Sequence, residues 1–246
     1  MPARAIRIFL LRHGESEANL DKRINARQPD HSVPLSAEGH RQAAAAGQFL
    51  AQTLAGGGRV RIFVSPYERT RQTAAAVAEA FNAAAIRYDK REATELRELE
   101  FGLFDGVADA DLPKVFPLEY QHYEKYLRFA GEFFAPMPLG ESRCNVADRV
   151  KSCFGTILRD ASTERPDPLR DFVVVSHGVT IRCFRLQWMH YGWDWYQQQR
   201  NPRNCSVQLI EGQPGGGYVD RLVFEGFRPQ DTRQTQREEG VVGSQD

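Results

Sequence analysis

The chain has 246 residues with 32 basic and 32 acidic side chains, so its formal net charge at pH 7 is zero. A chain of this length can bury a full hydrophobic core, but its balanced charge supplies no global field that would attract nucleic acid or an anionic membrane. We therefore expect no nucleic-acid partner, and any anion-binding site must be a local cluster of cations.

Targeting signals and cysteine spacing predict the compartment. No apolar signal segment precedes the first predicted strand, and no stretch reaches the roughly 18 apolar residues of a membrane span. The four cysteines lack Cys-x-x-Cys spacing, which favours reduced core residues over disulfides. We expect a cytoplasmic protein with no membrane contact.

The first predicted strand is the apolar run of residues 6–11, which has the composition of a strand buried on both faces. Arg12, His13 and Gly14 follow it directly. In open α/β sheets, ligands bind at the carboxyl ends of such strands, and a guanidinium beside an imidazole suits an oxyanion. Taken alone, the tripeptide is equally compatible with a solvated strand end.

A second strand end carries similar chemistry. After a polar loop, Ser36 is predicted to cap a helix that ends near residue 54, and residues 60–64 form a short buried strand. Ser65-Pro66 then predicts the start of a helix that carries Arg69 in its first turns. A surface helix with solvated arginines is the alternative. Residues 85–88 are predicted to form a third strand.

An aromatic segment spans residues 107–139, after a loop with carboxylates and glycines. Its rings recur at helical spacing between prolines, which is compatible either with core packing or with a helical lid over a site. The rings expected to cover a pocket are Phe116, Tyr120, Tyr123, Tyr126, Phe129, Phe133 and Phe134.

The clearest buried strand is predicted at residues 171–176, after a helix at about 145–159. His177 and Gly178 stand at its end, and an apolar helix follows to residue 190. Two further runs, joined by a glycine-rich turn, predict an antiparallel hairpin at 207–210 and 218–224.

Three predicted strand ends therefore place two histidines and two arginines at one edge of a sheet. This set suits a tetrahedral dianion better than a metal ion, because spacing such as His-x-x-x-His is absent. We predict no metal and no cofactor.

Five motifs in order resemble the histidine phosphatase superfamily, whose fold is phosphoglycerate mutase-like. The resemblance implies a three-layer α/β/α fold with a mainly parallel sheet. It implies a single domain over residues 1–228 with a lid insertion at about 107–139, while the polar composition of residues 229–246 predicts a disordered tail. The motifs are Arg-His-Gly-Glu-Ser at 12–16 with Asn19, Ser-Pro-x-x-Arg-Thr-x-Gln-Thr-Ala at 65–74, Leu-Arg-Glu at 96–98, Gly-Glu-Ser at 140–142 and Ser-His-Gly at 176–178.

The resemblance implies a role for each matching residue. His13 would take the phosphoryl group, and Glu98 would protonate the leaving alcohol and then activate water. Because His13 must attack as a neutral ring, its other nitrogen should contact a backbone carbonyl. The remaining site residues would be His177, which completes the pocket, and the phosphate-binding Arg12, Arg69, Asn19 and Gly178.

Several other functions remain open at this stage. Cofactor-dependent mutases of this family carry an Arg-Arg pair after the acid, and no such pair occurs between residues 101 and 140, which favours hydrolysis of a small phosphorylated substrate over mutase or bisphosphatase activity. Cys153 and Arg159 fit the Cys-x5-Arg motif of cysteine phosphatases, but they lie on a predicted helix instead of a phosphate-binding loop. A non-catalytic module that binds a phosphorylated ligand is the third alternative. Nothing in the sequence indicates the oligomeric state.

Overall fold

The computed structural model describes residues 5–162, 167–213 and 215–228. Within these residues, one sheet contains six strands that come from both halves of the chain. The strands are β1 (Ile6–Arg12), β2 (Val60–Val64), β3 (Tyr88–Glu92), β4 (Asp171–Ser176), β5 (Val207–Gln213) and β6 (Gly217–Phe224).

Helices connect the strands. Three of them exceed fourteen residues. The helices are α1 (Glu17–Leu20), α2 (Ala37–Leu54), α3 (Glu68–Ala83), α4 (Leu112–Val115), α5 (Pro117–Ala130), α6 (Arg143–Ala161), α7 (Gly178–Trp188) and α8 (Trp193–Gln198).

The sheet is mostly parallel, as the sequence predicted. Its strand order is β3-β2-β4-β1-β5-β6, in which the first four strands are parallel and the hairpin β5–β6 is antiparallel to its neighbours. Because β1, β2 and β4 are parallel, their carboxyl ends meet at one edge of the sheet. The segments that carry His13, Ser65 and His177 all begin there.

Helices cover both faces of the sheet and produce two apolar clusters. Alternate residues of each strand point to opposite faces, so Leu10 packs with α6 and α7 while its neighbour Phe9 packs with α2 and α3. Val174 and Val173 divide between the faces in the same way. The result is the three-layer α/β/α arrangement that the sequence predicted.

Two predicted boundaries are wrong. Ser65-Pro66 does not begin a helix, because α3 starts two residues later and the Ser65 hydroxyl instead contacts His177. The third strand begins at Tyr88 and not at residue 85, since the backbone N–H of Ile86 still bonds to the Phe81 carbonyl at the end of α3 and Ala85 turns with a φ of 53°. The capping role of Ser36 is confirmed: its hydroxyl accepts from the Gly39 N–H at 3.0 Å.

Residues 229–246, predicted to form a disordered tail, lie outside the described residues. Over the ranges that the structure describes, we find no helix with the length and apolar character that crossing a membrane requires.

Candidate active site

A cavity of about 310 Å³ opens at the sheet edge where β1, β2 and β4 end. Its walls come from six separate parts of the chain, so the fold, not local sequence, assembles it. Five of the seven predicted site residues line it: Arg12, His13, Asn19, Arg69 and Glu98.

His13 is held in the orientation that the sequence predicted. Its Nδ1 lies 2.7 Å from the backbone oxygen of Gly14, and its backbone N–H bonds to the Ser176 carbonyl at 3.0 Å. With the proton on Nδ1 donated to the Gly14 carbonyl, Nε2 keeps its lone pair. The carbonyl of His13 accepts from the Asn204 amide at 3.2 Å, so both sides of its peptide are fixed.

Gly14 is required by packing. A Cβ at this position would overlap the carbonyl of Gly39 in α2, and the Gly14 N–H bonds to the Thr73 hydroxyl at 3.1 Å. The glycine therefore allows the segment after β1 to contact α2 and α3 closely, and Gly14 itself does not line the cavity.

The two arginines of the cavity have different partners. Arg12 donates through Nη1 to the Pro202 carbonyl at 2.6 Å, while its buried Nε has no partner among the described residues. Arg69 donates through Nη1 and Nη2 to the carboxylate of Asp30, at 2.9 and 3.1 Å. The guanidinium of Arg69 also lies over the Tyr67 ring, 4.9 Å from its centroid.

His177 lies behind His13 and does not line the cavity. The two ring centroids are 5.2 Å apart, and His177 Nε2 is 2.8 Å from the Ser65 hydroxyl. Gly178 begins α7, and a Cβ there would crowd the side chain of Asn201, which does line the cavity. His177 and Gly178 therefore lie next to the cavity without lining it, and they contact residues that do.

Burial and neighbouring cations favour the neutral form of both imidazoles. Burial lowers the pKa of His13 well below its usual value, and the cations Arg69 and Arg12 lower it further. Burial likewise lowers the pKa of His177, with Arg69 and His13 adding to the effect. A neutral His13 is the form that can attack an electrophile.

Glu98 lines the cavity, and its carboxyl is buried. Its Oε1 accepts from the Leu99 N–H at 3.0 Å, and burial raises the pKa of its carboxyl despite the nearby cations Arg69 and Arg12. A raised pKa favours the protonated acid in the free site.

Asn19 joins two segments of the site. Its side-chain oxygen accepts from the Ser16 N–H at 3.1 Å and from the Asn204 amide at 3.2 Å. These bonds use the oxygen, so the amide N–H groups of Asn19 are the donors it can offer to a phosphate. The motif Asn-Pro-Arg-Asn at 201–204 was visible in the sequence, but its link to His13 was not.

The predicted aromatic covering is wrong as a description of the cavity. Within residues 107–139 only Val107 and Asp109 line it. Phe133 is buried in the core against Tyr196, and Phe129 is 91% exposed on α5. Three further rings pack on Phe104, which lines the cavity, and so support its wall from behind: Phe116, Tyr120 and Tyr123.

The cavity also has acidic walls, which the sequence did not indicate. Asp30, Asp105 and Asp109 line it, and Asn25 links the first two with bonds of 3.4 and 2.9 Å to their carboxylates. Burial raises the pKa of Asp105. Arg12 and Arg69 are the arginines that the structure describes in the lining, and Asp30 pairs with Arg69.

The cysteine alternative is not supported. Cys153 lies inside α6, buried in the core, with its Sγ 3.4 Å from a carboxylate oxygen of Glu95. Burial and the Glu95 charge raise the pKa of this thiol, so it lacks thiolate character, and no phosphate-binding loop surrounds it.

Comparison with known proteins is consistent with this geometry. The family model described as histidine phosphatase superfamily (branch 1) matches residues 8–225. The phosphoglycerate mutase-like protein AT74H of Arabidopsis thaliana is 36% identical over 225 residues, which cover 87% of this chain and 76% of the relative. A protein of Citrobacter koseri named probable phosphoglycerate mutase GpmB is 30% identical over 208 residues, which cover 85% of this chain and 86% of the relative.

Solved structures share the fold. A mycobacterial glucosyl-3-phosphoglycerate phosphatase has a TM-score of 0.67 at 24% identity, covering 92% of this chain and 100% of that one. The phosphoglycerate mutase of Bacillus anthracis has a TM-score of 0.64 at 21% identity, covering 90% and 93%. At these identities, the likeness concerns the fold alone.

Proposed function

The chain belongs to the histidine phosphatase superfamily, and from that premise we propose that it hydrolyses phosphate monoesters through a phosphohistidine at His13, without a metal ion. The observation that carries the proposal is the 2.7 Å contact between His13 Nδ1 and the Gly14 carbonyl. This contact leaves Nε2 as the attacking atom and supports the positive charge that the ring gains when Nε2 is phosphorylated.

In the first step, Nε2 of His13 attacks phosphorus opposite the leaving oxygen. The bond from phosphorus to nitrogen forms as the bond to the leaving oxygen breaks, and Glu98 gives its proton to that oxygen. Arg12 and Arg69 would hold the other phosphate oxygens. Positioning and charge stabilisation of this kind are the main requirements of phosphoryl transfer.

In the second step, the Glu98 carboxylate removes a proton from a water molecule. The water oxygen attacks phosphorus, and the bond to Nε2 breaks, returning its electron pair to the ring. Inorganic phosphate is released, while His13 and Glu98 regain their starting protonation states. The site chemistry therefore closes without a further reactant.

The lining of the cavity supports hydrolysis over mutase activity. A mutase must keep a bisphosphate bound while that molecule reorients. With the first phosphate on Arg12 and Arg69, the second would meet the carboxylates of Asp105 and Asp109 instead of arginines. Mutase or bisphosphatase activity on a sugar or glycerate phosphate remains the second candidate, because the Citrobacter koseri relative is named as a mutase.

Trapping of the phosphoenzyme tests the proposal. With labelled p-nitrophenyl phosphate, the chain should form an acid-labile, base-stable phosphoenzyme that His13→Ala lacks, whereas the exposed control variant His40→Ala should retain it. Label that persists in His13→Ala would contradict the assignment of the nucleophile.

Activity should survive dialysis against EDTA, and a loss that Mg²⁺ or Zn²⁺ restores would contradict the metal-independent reaction. Absence of any turnover would favour the non-catalytic module.

A further inference from the structure

Arg149 of α6 contacts the backbone of the segment that carries Glu98. Its Nη1 donates to the carbonyls of Glu95 and Arg97, at 2.6 and 2.9 Å, and its Nη2 donates to the carbonyl of Glu98 at 2.8 Å. One guanidinium thus binds three carbonyls within four residues, which fixes the path of the chain as it enters the cavity.

The guanidinium is itself held by Glu141. Its Nε and Nη2 donate to the two carboxylate oxygens of Glu141, each at 2.8 Å. The same carboxylate accepts from the Glu100 N–H at 3.2 Å and from Arg97 Nη2 at 2.9 Å. Although burial opposes ionisation of Glu141, Arg149 and Arg97 hold the pKa of its carboxyl below the usual value.

Among the described residues, Arg149 donates to the backbone carbonyl of Glu98, whereas the Thr180 hydroxyl lies 3.4 Å from the carboxyl Oε1 of Glu98. The Ser176 hydroxyl donates to the Leu96 carbonyl at 2.7 Å, and the Thr180 hydroxyl donates to the Arg97 carbonyl at 2.7 Å. If Arg149 lost its planar fork, these two bonds would still hold the preceding residues. The displacement would therefore be concentrated at Glu98.

We propose that Arg149, oriented by Glu141, is a positioning residue that places the Glu98 carboxyl for proton transfer to the leaving group. This inference rests on the proposed function, because it assumes that Glu98 is the acid. Lysine cannot replace the arginine, because an ammonium group has no planar fork and cannot bind three carbonyls and a carboxylate in these directions. A shift of about 1 Å in a catalytic group can cost about 10²-fold in rate.

The test compares two aryl substrates of similar shape. Arg149→Lys should lower kcat/KM on phenyl phosphate, whose leaving group needs a proton, by about 10²-fold. It should change kcat/KM on p-nitrophenyl phosphate much less, because p-nitrophenolate leaves readily without a proton, and kcat/KM reports phosphoenzyme formation and not the later hydrolysis that both substrates share. The matched control is Arg185→Lys, which alters another partly buried arginine that pairs with a carboxylate, Asp220, at 2.9 Å outside the cavity. It should leave the ratio between the two substrates unchanged.

A double variant separates positioning from stability. Glu98→Gln combined with Arg149→Lys should be no slower on phenyl phosphate than Glu98→Gln alone, because both changes remove the same proton transfer. Equal losses on both substrates, or losses that multiply in the double variant, would overturn the inference. If Arg149→Lys does not fold, Glu141→Gln should give the same selective loss, and an unselective loss would overturn it. If the unmodified chain hydrolyses neither substrate, the proposed function fails instead.

Discussion

The carboxylate of Asp30 forms a two-point ion pair with the guanidinium of Arg69, although the two residues lie 39 positions apart. The backbone carbonyl of Asp30 accepts from the same arginine at 2.7 Å. A carboxylate therefore lies against the cation proposed to bind phosphate. An incoming phosphate must either displace Asp30 or bind Arg69 through its remaining N–H groups, and in both cases the negative charge of Asp30 opposes it.

Replacing Asp30 should strengthen phosphate binding. In Asp30→Asn the repulsion between the carboxylate and phosphate disappears. Two unit charges 4 Å apart in a water-like dielectric interact by about 1 kcal/mol, so the inhibition constant of inorganic phosphate should fall roughly fivefold. Competitive inhibition of p-nitrophenyl phosphate hydrolysis measures that constant. The control variant Glu211→Gln removes a carboxylate of β5 and should leave this inhibition constant unchanged. Weaker phosphate inhibition in Asp30→Asn would mean that the ion pair orients Arg69 for binding.

The pH profile should reflect one lowered and one raised pKa. The reaction needs neutral His13, whose pKa is lowered by burial, and protonated Glu98, whose pKa is raised by burial. The kcat/KM on phenyl phosphate should therefore persist below the usual histidine pKa of about 6.5 and decline as pH rises through the raised pKa of Glu98. Glu98→Gln should remove the alkaline decline and lower the rate by about 10²–10⁴. A decline that survives in Glu98→Gln would assign it to another group.

Phosphate release should exceed isomerisation. Supplied with 3-phosphoglycerate and catalytic 2,3-bisphosphoglycerate, the chain should release inorganic phosphate faster than it forms 2-phosphoglycerate, because Arg12 and Arg69 are the arginines described in the lining and the first phosphate would occupy them. Both products can be followed in one coupled assay. Isomerisation that outpaces phosphate release would support the mutase candidate.

Asp105 should discriminate against a second negative charge on the substrate. Glycerol 3-phosphate and 3-phosphoglycerate differ by a hydroxymethyl group in place of a carboxylate, so their kcat/KM ratio isolates that charge. The unmodified chain should favour glycerol 3-phosphate. Asp105→Asn should reduce this preference by roughly fivefold, the effect of about 1 kcal/mol of removed repulsion. An unchanged ratio would place the carboxylate of 3-phosphoglycerate away from Asp105.

The sequence predicted the fold and which residues meet at the carboxyl edge of the sheet, because their signals are local. The strands β1, β2 and β4 are mostly short apolar runs, and the residues after β1 and β2, such as His13 and Arg69, reach the same sheet edge by topology alone. The contacts that connect distant segments left no such signal. Asp30 lies in a polar loop with no periodicity, and Arg149 resembles an ordinary charged residue on an amphipathic helix.

The aromatic segment shows the limit of composition as evidence. Ring content predicted burial over the pocket, but it does not specify which neighbour each ring meets. Three rings pack against Phe104 behind the cavity wall, while the ring of Phe129 is exposed to solvent. Only the packing of α5 against the loop after Glu98 decides between these outcomes.

The position of β1 in the sheet has a consequence for biosynthesis. This strand comes first in the chain but lies between β4 and β5, and Arg7 contacts Asp171, 164 residues later. At translation rates of about 5–20 residues per second, roughly 10–30 s pass between the synthesis of His13 and that of β4, the parallel neighbour of β1. Such distant pairing also makes folding slow. A phosphate bound at the proposed site would therefore stabilise the chain only after β4 has paired with β1.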